Sequence, residues 1–245
     1  YSMLCGMTGT ADGHQRELKQ CYRLPVVIIP RQKQSKRIDL PIRYFNSIDN
    51  KLTAIANDVA DRHRDGQPVL IGTRTIDQSL MIADRLNTQG TKHHVLNGIQ
   101  DQDEASLITA AGSQGSVTVA TNMAGRGTDI KPDAAAIKAG GLHVIGFEKN
   151  SSLRIDRQLL GRAGRQGDPG SGQFFVSAED DIVVRFDPAL SKQLQRIKAL
   201  DGCTSSNFDR RMSQIQKVAE KASWQSRQDV MREELWLDKV KQAAG

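Results

Sequence analysis

The chain has 245 residues, of which 38% are hydrophobic and 25% charged, and its formal net charge is +6 at pH 7. This balance predicts a folded globular protein with one main domain and an extension, and it excludes a disordered or fibrous chain. Without a run of about 18 apolar residues no transmembrane helix is predicted, and the three cysteines lack the CxxC spacing of a zinc site.

Short apolar runs alternate with segments of helical period along most of the chain. We interpret these runs as buried strands, because they are apolar on both faces. They are residues 26–29, 42–45, 69–72, 94–96, 116–120, 142–145 and 173–176. Strands that alternate with helices predict an α/β fold, with a parallel sheet covered by helices.

Two helices are predicted between the first strands. Apolar residues at helical spacing indicate one helix over residues 48–60. In the next helix Thr75 and Gln78 have the spacing of a capping box, and Gly90 stands where a C-terminal glycine is usual. Farther along, Asp103 and Glu104 suit the first turn of a helix, where acidic residues favour the dipole.

A long amphipathic helix is predicted after the last strand. Its apolar residues follow one another at spacings of four and three and are Phe208, Met212, Ile215, Ala219 and Ala222. We therefore divide the chain into a main domain, residues 1–203, and a helical extension, residues 204–245. Apolar content continues through Trp224 and Trp236, so we expect packing against a missing scaffold or a second copy. The alternative is a helix that folds back on its own sheet.

Two arginines stand out near residue 160, in the stretch Gln158-Leu-Leu-Gly-Arg-Ala-Gly-Arg-Gln-Gly167. Their spacing places Arg162 and Arg165 on neighbouring positions of one helix face, with Gln158 one turn earlier. Two guanidinium groups so arranged suit a polyphosphate, and the glycines allow close approach of a ligand. By itself this spacing is as typical of surface arginines in a turn.

A second polar stretch, residues 121–129, directly follows the apolar strand at 116–120. Ligands of open α/β sheets bind beyond the carboxyl ends of the strands, so this loop is placed to meet a nucleotide. Its candidate residues are Arg126, Gly127 and Asp129. Asp129 could accept a hydrogen bond from a ribose hydroxyl or from metal-bound water, although a turn or cap aspartate is the alternative.

Together the two stretches match the RGxD and QxxGRxxR forms of motifs V and VI of superfamily 2 helicase-like ATPases. The residues in and around these motifs further resemble SecA, the ATPase family of bacterial preprotein export. This resemblance runs from Gly6 to about Phe186 and continues weakly through the last helix. The blocks that carry the resemblance are residues 6–11, 66–73, 120–130, 140–146 and 161–168. Leu160, Asn150 and Leu153 depart from the family pattern, which suggests a diverged or accessory member.

The resemblance implies a parallel-sheet RecA-like domain of the P-loop NTPase class, of the C-terminal type of superfamily 2 helicases, followed by the start of a helical scaffold. Its implied role is the C-terminal motor half of an ATPase that couples ATP hydrolysis to preprotein translocation. Arg162 and Arg165 would be arginine fingers. The residues expected to bind or sense the nucleotide are Asp129, Gly127, Arg126 and Gln158.

The implied cofactors are ATP and Mg²⁺. Because the sequence has no GxxxxGK[ST] loop, both are expected to be held mainly by a missing first motor domain, and no metal site is expected in this chain. The chain starts at Tyr1 and is expected to be an excerpt, inactive when isolated. The implied partners are the missing N-terminal nucleotide-binding domain, a preprotein, a SecYEG-type translocon and an anionic membrane surface, and a homodimer with a second copy is compatible with the resemblance. The implied location is cytoplasmic, at the inner face of the bacterial plasma membrane.

Two other functions stay open. Half of a nucleic-acid helicase would use the same motifs and positive charge, but with 4% aromatic residues the sequence offers few platforms for stacking bases. A non-catalytic binding module is the second alternative, and Leu160 is the residue that favours it. His143, inside an apolar strand, is interpreted as a hydrogen-bonded core histidine rather than a catalytic one.

Overall fold

The computed structural model describes residues 3–11, 13, 15–96, 104–121, 128–204 and 206–244. The strands are β1 (Lys36–Asp39), β2 (Arg43–Phe45), β3 (Val69–Thr73), β4 (His94–Leu96), β5 (Val117–Thr121), β6 (Leu142–Gly146), β7 (Pro169–Ser177) and β8 (Cys203–Thr204). The helices are α1 (Gln15–Tyr22), α2 (Ile48–Arg64), α3 (Ile76–Thr88), α4 (Glu104–Ala110), α5 (Ala134–Lys138), α6 (Leu153–Leu160), α7 (Asp181–Phe186), α8 (Pro188–Gln195) and α9 (Asp209–Ala244). A 3-10 turn spans Arg165–Gly167.

The strands form one mixed sheet in the order β4-β5-β3-β6-β7-β2-β8. Strand β1 pairs with the first half of β7, and β2 pairs with its last three residues. These pairings and those among the central strands are parallel, whereas the short β8 runs antiparallel to β2. The predicted α/β class with a mainly parallel sheet is confirmed.

The core lies on both faces of the central strands, and β3 shows why its sequence is continuously apolar. Val69 and Ile71 contribute to the cluster that contains apolar residues of α2 and α3, whereas Leu70 belongs to the cluster that contains Leu159 of α6. All five residues of β3 are buried. Because successive side chains of a strand point to opposite faces, a strand covered on both sides must be apolar throughout.

Both predicted helices are confirmed, as α2, which continues four residues beyond the predicted 48–60 to Arg64, and as α3, which lies between the predicted capping residue Thr75 and Gly90. The side chain of Thr75 accepts a hydrogen bond from the Gln78 amide, as expected for a capping box. Gly90 has a φ of +71°, the left-handed conformation in which glycine ends helices most easily. Local backbone chemistry is therefore sufficient to locate these two helices.

The predicted strand at residues 26–29 is wrong. These residues form no regular structure, and Val27, Ile28 and Ile29 are between 69 and 80% exposed. The position beside the first half of β7 is taken instead by β1, a polar stretch that the hydrophobic pattern did not identify. An edge strand is held by its backbone hydrogen bonds and can remain largely exposed, so its sequence need not be apolar.

The start of the final helix α9 agrees with the alternative of a helix that folds back, whereas packing against a missing scaffold or a second copy stays a prediction. Its first turns fold back on this domain, where Met212, Ile215 and Ala219 are buried in a cluster with residues of β2, α7 and α8. Farther along, Val230 and Trp236 are 54 and 62% exposed. None of the described helices combines the length and the apolar character needed to cross a membrane.

His143 is a core histidine, as predicted. Its ring is fully buried in β6, with Nδ1 2.7 Å from Ser171 Oγ, while Nε2 has no hydrogen-bond partner among the described residues. Burial, aided by the positive charge of Arg62, lowers the pKa of His143 to about 3. Asp58 lies 3.6 Å from Nε2, but its carboxylate already accepts a hydrogen bond from Arg62.

This pKa predicts a specific pH dependence of stability. Unfolded histidine titrates near pH 6.5, so between about pH 3 and 6.5 the unfolded chain binds a proton that the folded chain excludes. Stability should therefore rise with pH across this window. We expect His143→Gln to reduce the difference in unfolding free energy between pH 5 and pH 7.5, measured with urea, whereas the exposed His63→Gln should retain it. Equal pH dependence in wild type and His143→Gln would contradict this assignment.

Candidate functional site

The predicted placement of Arg162 and Arg165 on one helix face is wrong. Helix α6 ends at Leu160, and Gly161 is its C-terminal cap. Arg162 then lies in a turn, while Arg165 begins a 3-10 turn after Gly164, whose φ is +66°. The glycines that suggested close ligand approach thus also end the helix, and the two arginines are presented by a loop that joins α6 to β7.

Arg165 and Asp129, two predicted site residues, lie next to each other. The Nη1 of Arg165 donates to Asp129 Oδ1 at 2.7 Å, and its Nε donates to the carbonyl of Gly161 at 3.0 Å. The two side chains of the ion pair are 41 and 35% exposed. Such a half-exposed ion pair stabilises a fold by only about 0–1 kcal/mol. A phosphate group could therefore replace Asp129 as the partner of Arg165 with little loss of folding free energy.

Of the predicted nucleotide-binding residues besides Asp129, the structure describes Gln158 but not Arg126 or Gly127. Gln158 is on α6, where its Nε2 lies 3.3 Å from Thr10 Oγ1, so this helix contacts the Thr-rich segment near the start of the chain. Arg126 and Gly127 lie outside the described residues. The described residues contain no group of three or more His, Cys, Asp or Glu side chains that could hold a metal ion.

A cluster of buried charges at the carboxyl ends of β3, β6 and β7 was not predicted. Glu148 accepts one hydrogen bond from Gln78 Nε2 at 2.7 Å and lies 3.2 Å from the Arg74 guanidinium. Burial, with the nearby negative charge of Asp180, raises the pKa of Glu148. Lys51 forms a fully buried ion pair with Asp180. Lys51 falls on the apolar face of α2, and a lysine at such a position is the signal that could have identified the pair.

A second buried network centres on Asp156 of α6. Its carboxylate accepts hydrogen bonds from Lys149 Nζ at 2.9 Å, from the amide and side chain of Asn150 at 3.0 and 2.9 Å, and from Gln216 Nε2 at 2.6 Å. Gln216 belongs to α9 and also donates to the Asn150 carbonyl. The helix that leads into the arginine loop is thus joined directly to the final helix.

Two of the three departures from the family pattern make contacts that hold α6 in place. Asn150 supplies two of the donors to Asp156. Leu160 packs on Gly172 of β7, where a Cβ atom would lie 2.6 Å from Leu160 Cδ2. Leu153, at the first turn of α6, is 42% exposed. Two of the three substitutions are therefore accommodated by contacts that hold α6 in place.

Comparisons with known proteins agree with this architecture. Residues 34–137 and 131–202 match the family described as SecA P-loop domain. The chain is 47% identical over 194 residues to the protein translocase subunit SecA of Caldicellulosiruptor saccharolyticus, covering 79% of this chain and 23% of that protein. It is 42% identical over 243 residues to the protein translocase subunit SecA 2 of Geobacillus thermodenitrificans, covering 96% of this chain and 31% of that protein. The chain thus spans about a quarter to a third of these relatives.

Among solved structures, the yeast DEAD-box splicing factor Prp28 has a similar fold. The TM-score is 0.51 at 18% identity, and the match covers 86% of this chain and 44% of that one. This likeness supports the RecA-like fold and nothing finer.

The Asp156 network predicts a large effect of one substitution. Asp156→Ala leaves the ammonium of Lys149, 11% exposed, without its carboxylate, and removal of one partner of a buried ion pair costs about 3–5 kcal/mol. We expect a loss of this size in the unfolding free energy measured with urea. As a control, Asp229→Ala breaks an ion pair whose side chains are more than 70% exposed and should change it by less than about 0.5 kcal/mol. A loss below 1 kcal/mol for Asp156→Ala would contradict the role of this network.

Proposed function

This chain belongs to the SecA family, and we propose that it is the C-terminal motor half of an ATPase that couples ATP hydrolysis to the translocation of preproteins. The observation that supports this proposal is the contact between Arg165 and Asp129, which joins the two motifs at the surface of a RecA-like domain. A surface guanidinium held by only a half-exposed carboxylate and one carbonyl is available to an incoming phosphate. We propose that the ATP site is completed by a first motor domain outside this chain.

The residues present fit the phosphate chain of a nucleotide. Arg162 and Arg165 are presented by a glycine-containing loop, and a guanidinium engages two phosphate oxygens through a planar fork. Asp129, released from Arg165, would accept from a ribose hydroxyl or from water bound to Mg²⁺. ATP with Mg²⁺ supplies the transferable phosphoryl group. Because the sequence has no GxxxxGK[ST] loop, we propose that Mg²⁺ is held mainly by the first motor domain.

The two arginines are proposed to act on the transition state, whereas Asp129 is proposed to act mainly on nucleotide binding. During phosphoryl transfer, charge develops on the equatorial oxygens, and arginines brought from the opposite domain stabilise that charge. Gln158, Arg126 and Gly127 are proposed to contact or sense the nucleotide beside them. Because α6 carries the arginine loop and is joined to α9 through Asp156, we propose that the nucleotide state is transmitted to the helical extension by this route.

The proposed partners follow from the family. They are the N-terminal nucleotide-binding domain, a preprotein and a SecYEG-type translocon, with an anionic membrane surface to which a chain of net charge +6 is attracted. We propose that the protein acts in the cytoplasm, at the inner face of the bacterial plasma membrane. The exposed Val230 and Trp236 of α9 are proposed to pack on the remaining scaffold or on a second copy.

ATP turnover by the full-length parent protein tests this function. We expect membranes that contain the translocon and a preprotein to increase the rate of ATP hydrolysis, and RNA to leave it unchanged. Membranes without the translocon serve as the control for lipid alone. Stimulation by RNA in place of translocon membranes would identify a helicase, and absence of turnover under all conditions would identify a non-catalytic module.

Substitution of the arginines tests their roles in the same full-length protein. Arg162→Ala and Arg165→Ala should each lower kcat by about 10³-fold or more with little change in KM, because the arginines act on charge that develops in the transition state. Lysine should not restore kcat at either position. Asp129→Asn should mainly raise KM, since the contact is shared by bound ATP and the transition state.

Arg64→Ala, at an exposed position on α2, is the matched control and should leave both constants unchanged. If Arg165→Lys retained near-normal kcat, or if the arginine substitutions changed only KM, the two arginines would be contacts to a domain or partner instead.

A further inference from the structure

A cavity of about 540 Å³ lies between the segment that precedes β1 and the loop that joins α6 to β7. Its position follows from the sheet, because β1 pairs in parallel with β7 and Lys36 stands opposite Pro169. Residues 31–35 and 161–167 therefore enter the sheet side by side. Pockets for small molecules usually measure about 300–1,000 Å³, so this cavity has the size of a ligand site.

The lining of the cavity is basic and contains no acidic residue. The lining residues are Arg31, Gln32, Lys33, Ser35, Arg37, Gly161, Ala163, Gly164, Arg165, Gln166 and Gly167. Arg37 is already engaged, because its guanidinium binds the Asp39 carboxylate and donates to the carbonyl of Leu160 at 3.0 Å. Arg165 is paired with Asp129.

Arg31 and Lys33 differ from these two arginines. Neither forms an ion pair with any carboxylate in the part of the chain that the structure describes. Two positive charges without compensation, on the same wall of a cavity without carboxylates, raise the local electrostatic potential and attract an anion. The excess positive charge of this cavity therefore comes from Arg31 and Lys33.

The opposite wall contains three residues in the left-handed backbone conformation. Gly164, Gln166 and Gly167 have φ values of +66°, +55° and +87°. Turns that contain left-handed residues can direct peptide N–H groups into a concave surface that binds anions. Gln166 is one of two non-glycine residues with positive φ among those described, and such strain is concentrated at functional sites. A Cβ atom on Gly167 would lie 3.2 Å from Lys33 Cδ, so glycine keeps this wall close to the lysine.

We propose that this cavity binds a small polyanion of the phosphate class, with Arg31 and Lys33 as the charged ligands and the loop at 164–167 as the backbone wall. The inference goes beyond the proposed ATP site, because every wall belongs to this chain and no second motor domain is required. Arg165 borders the cavity, so the bound anion lies next to the ion pair with Asp129. The polyanion is either a free polyphosphate or the phosphate chain of a nucleotide.

Titration calorimetry with the 245-residue chain tests this site, with sodium tripolyphosphate as the probe at low ionic strength. We expect saturable binding with one molecule per chain. The double variant Arg31→Ala/Lys33→Ala should weaken it at least about tenfold, because each hydrogen bond to a charged group contributes substantially to affinity. The double variant Arg16→Ala/Lys19→Ala in α1 changes the net charge equally and should bind within about twofold of wild type.

Two further arms identify the source of the anion. If ATP and ADP compete with tripolyphosphate, the phosphate chain of a nucleotide occupies the cavity, and if they do not compete, a free polyphosphate does. The proposal is overturned if wild type shows no saturable binding, or if both double variants lose affinity to the same extent. Circular dichroism of each variant confirms that the fold is retained. None of these binding measurements depends on ATP turnover, so the test is independent of the roles proposed for Arg162 and Arg165 in catalysis.

Discussion

The buried carboxylate of Asp156 is the constraint on which the arrangement of this domain depends. A charge at 1% exposure is stable only when donors surround it, and here they come from Lys149 and Asn150 beyond β6 and from Gln216 of α9. The same contacts that compensate the charge fix the position of α6 between the sheet and the final helix. Satisfying one buried group therefore joins three parts of the chain that are distant in sequence.

Close packing completes the placement of α6. A Cβ atom on Gly72 would lie 2.4 Å from Leu159, and one on Gly172 would lie 2.6 Å from Leu160, so glycines in β3 and β7 let the helix approach the sheet closely. This packing fixes the end of α6 against the sheet, at the point where the arginine loop begins. Because Arg165 is presented by that loop, the geometry of the proposed phosphate contact is determined by packing several residues away.

Hydrophobic periodicity predicted the central strands and the first two long helices, since β3 and β6 are mainly apolar and every residue of both strands is buried. The same rule failed for one exposed apolar segment and for one polar edge strand. Residues 26–29 are apolar but exposed, and the polar β1 occupies the edge of the sheet. The sequence predicted Asp129 and Arg165 as members of two separate motifs, but it did not predict the contact between them. It also did not predict the Asp156 network. Periodicity identifies which residues are buried, but it does not identify which residues remote in sequence contact each other.

Helix α9 extends far beyond its buried contacts with the rest of the domain. From Gln216 to Ala244 it rises about 42 Å at 1.5 Å per residue, whereas the buried contacts at Gln216 and Ala219 form a pivot within its first three turns. Beyond this pivot, Arg227 forms a partly exposed ion pair with Glu17 of α1. A tilt of about 10° at this pivot would therefore move the far end by about 7 Å, simply from the length of the helix. A small change of angle near Gln216 would thus become a movement of more than half the diameter of a helix, which is about 10–12 Å.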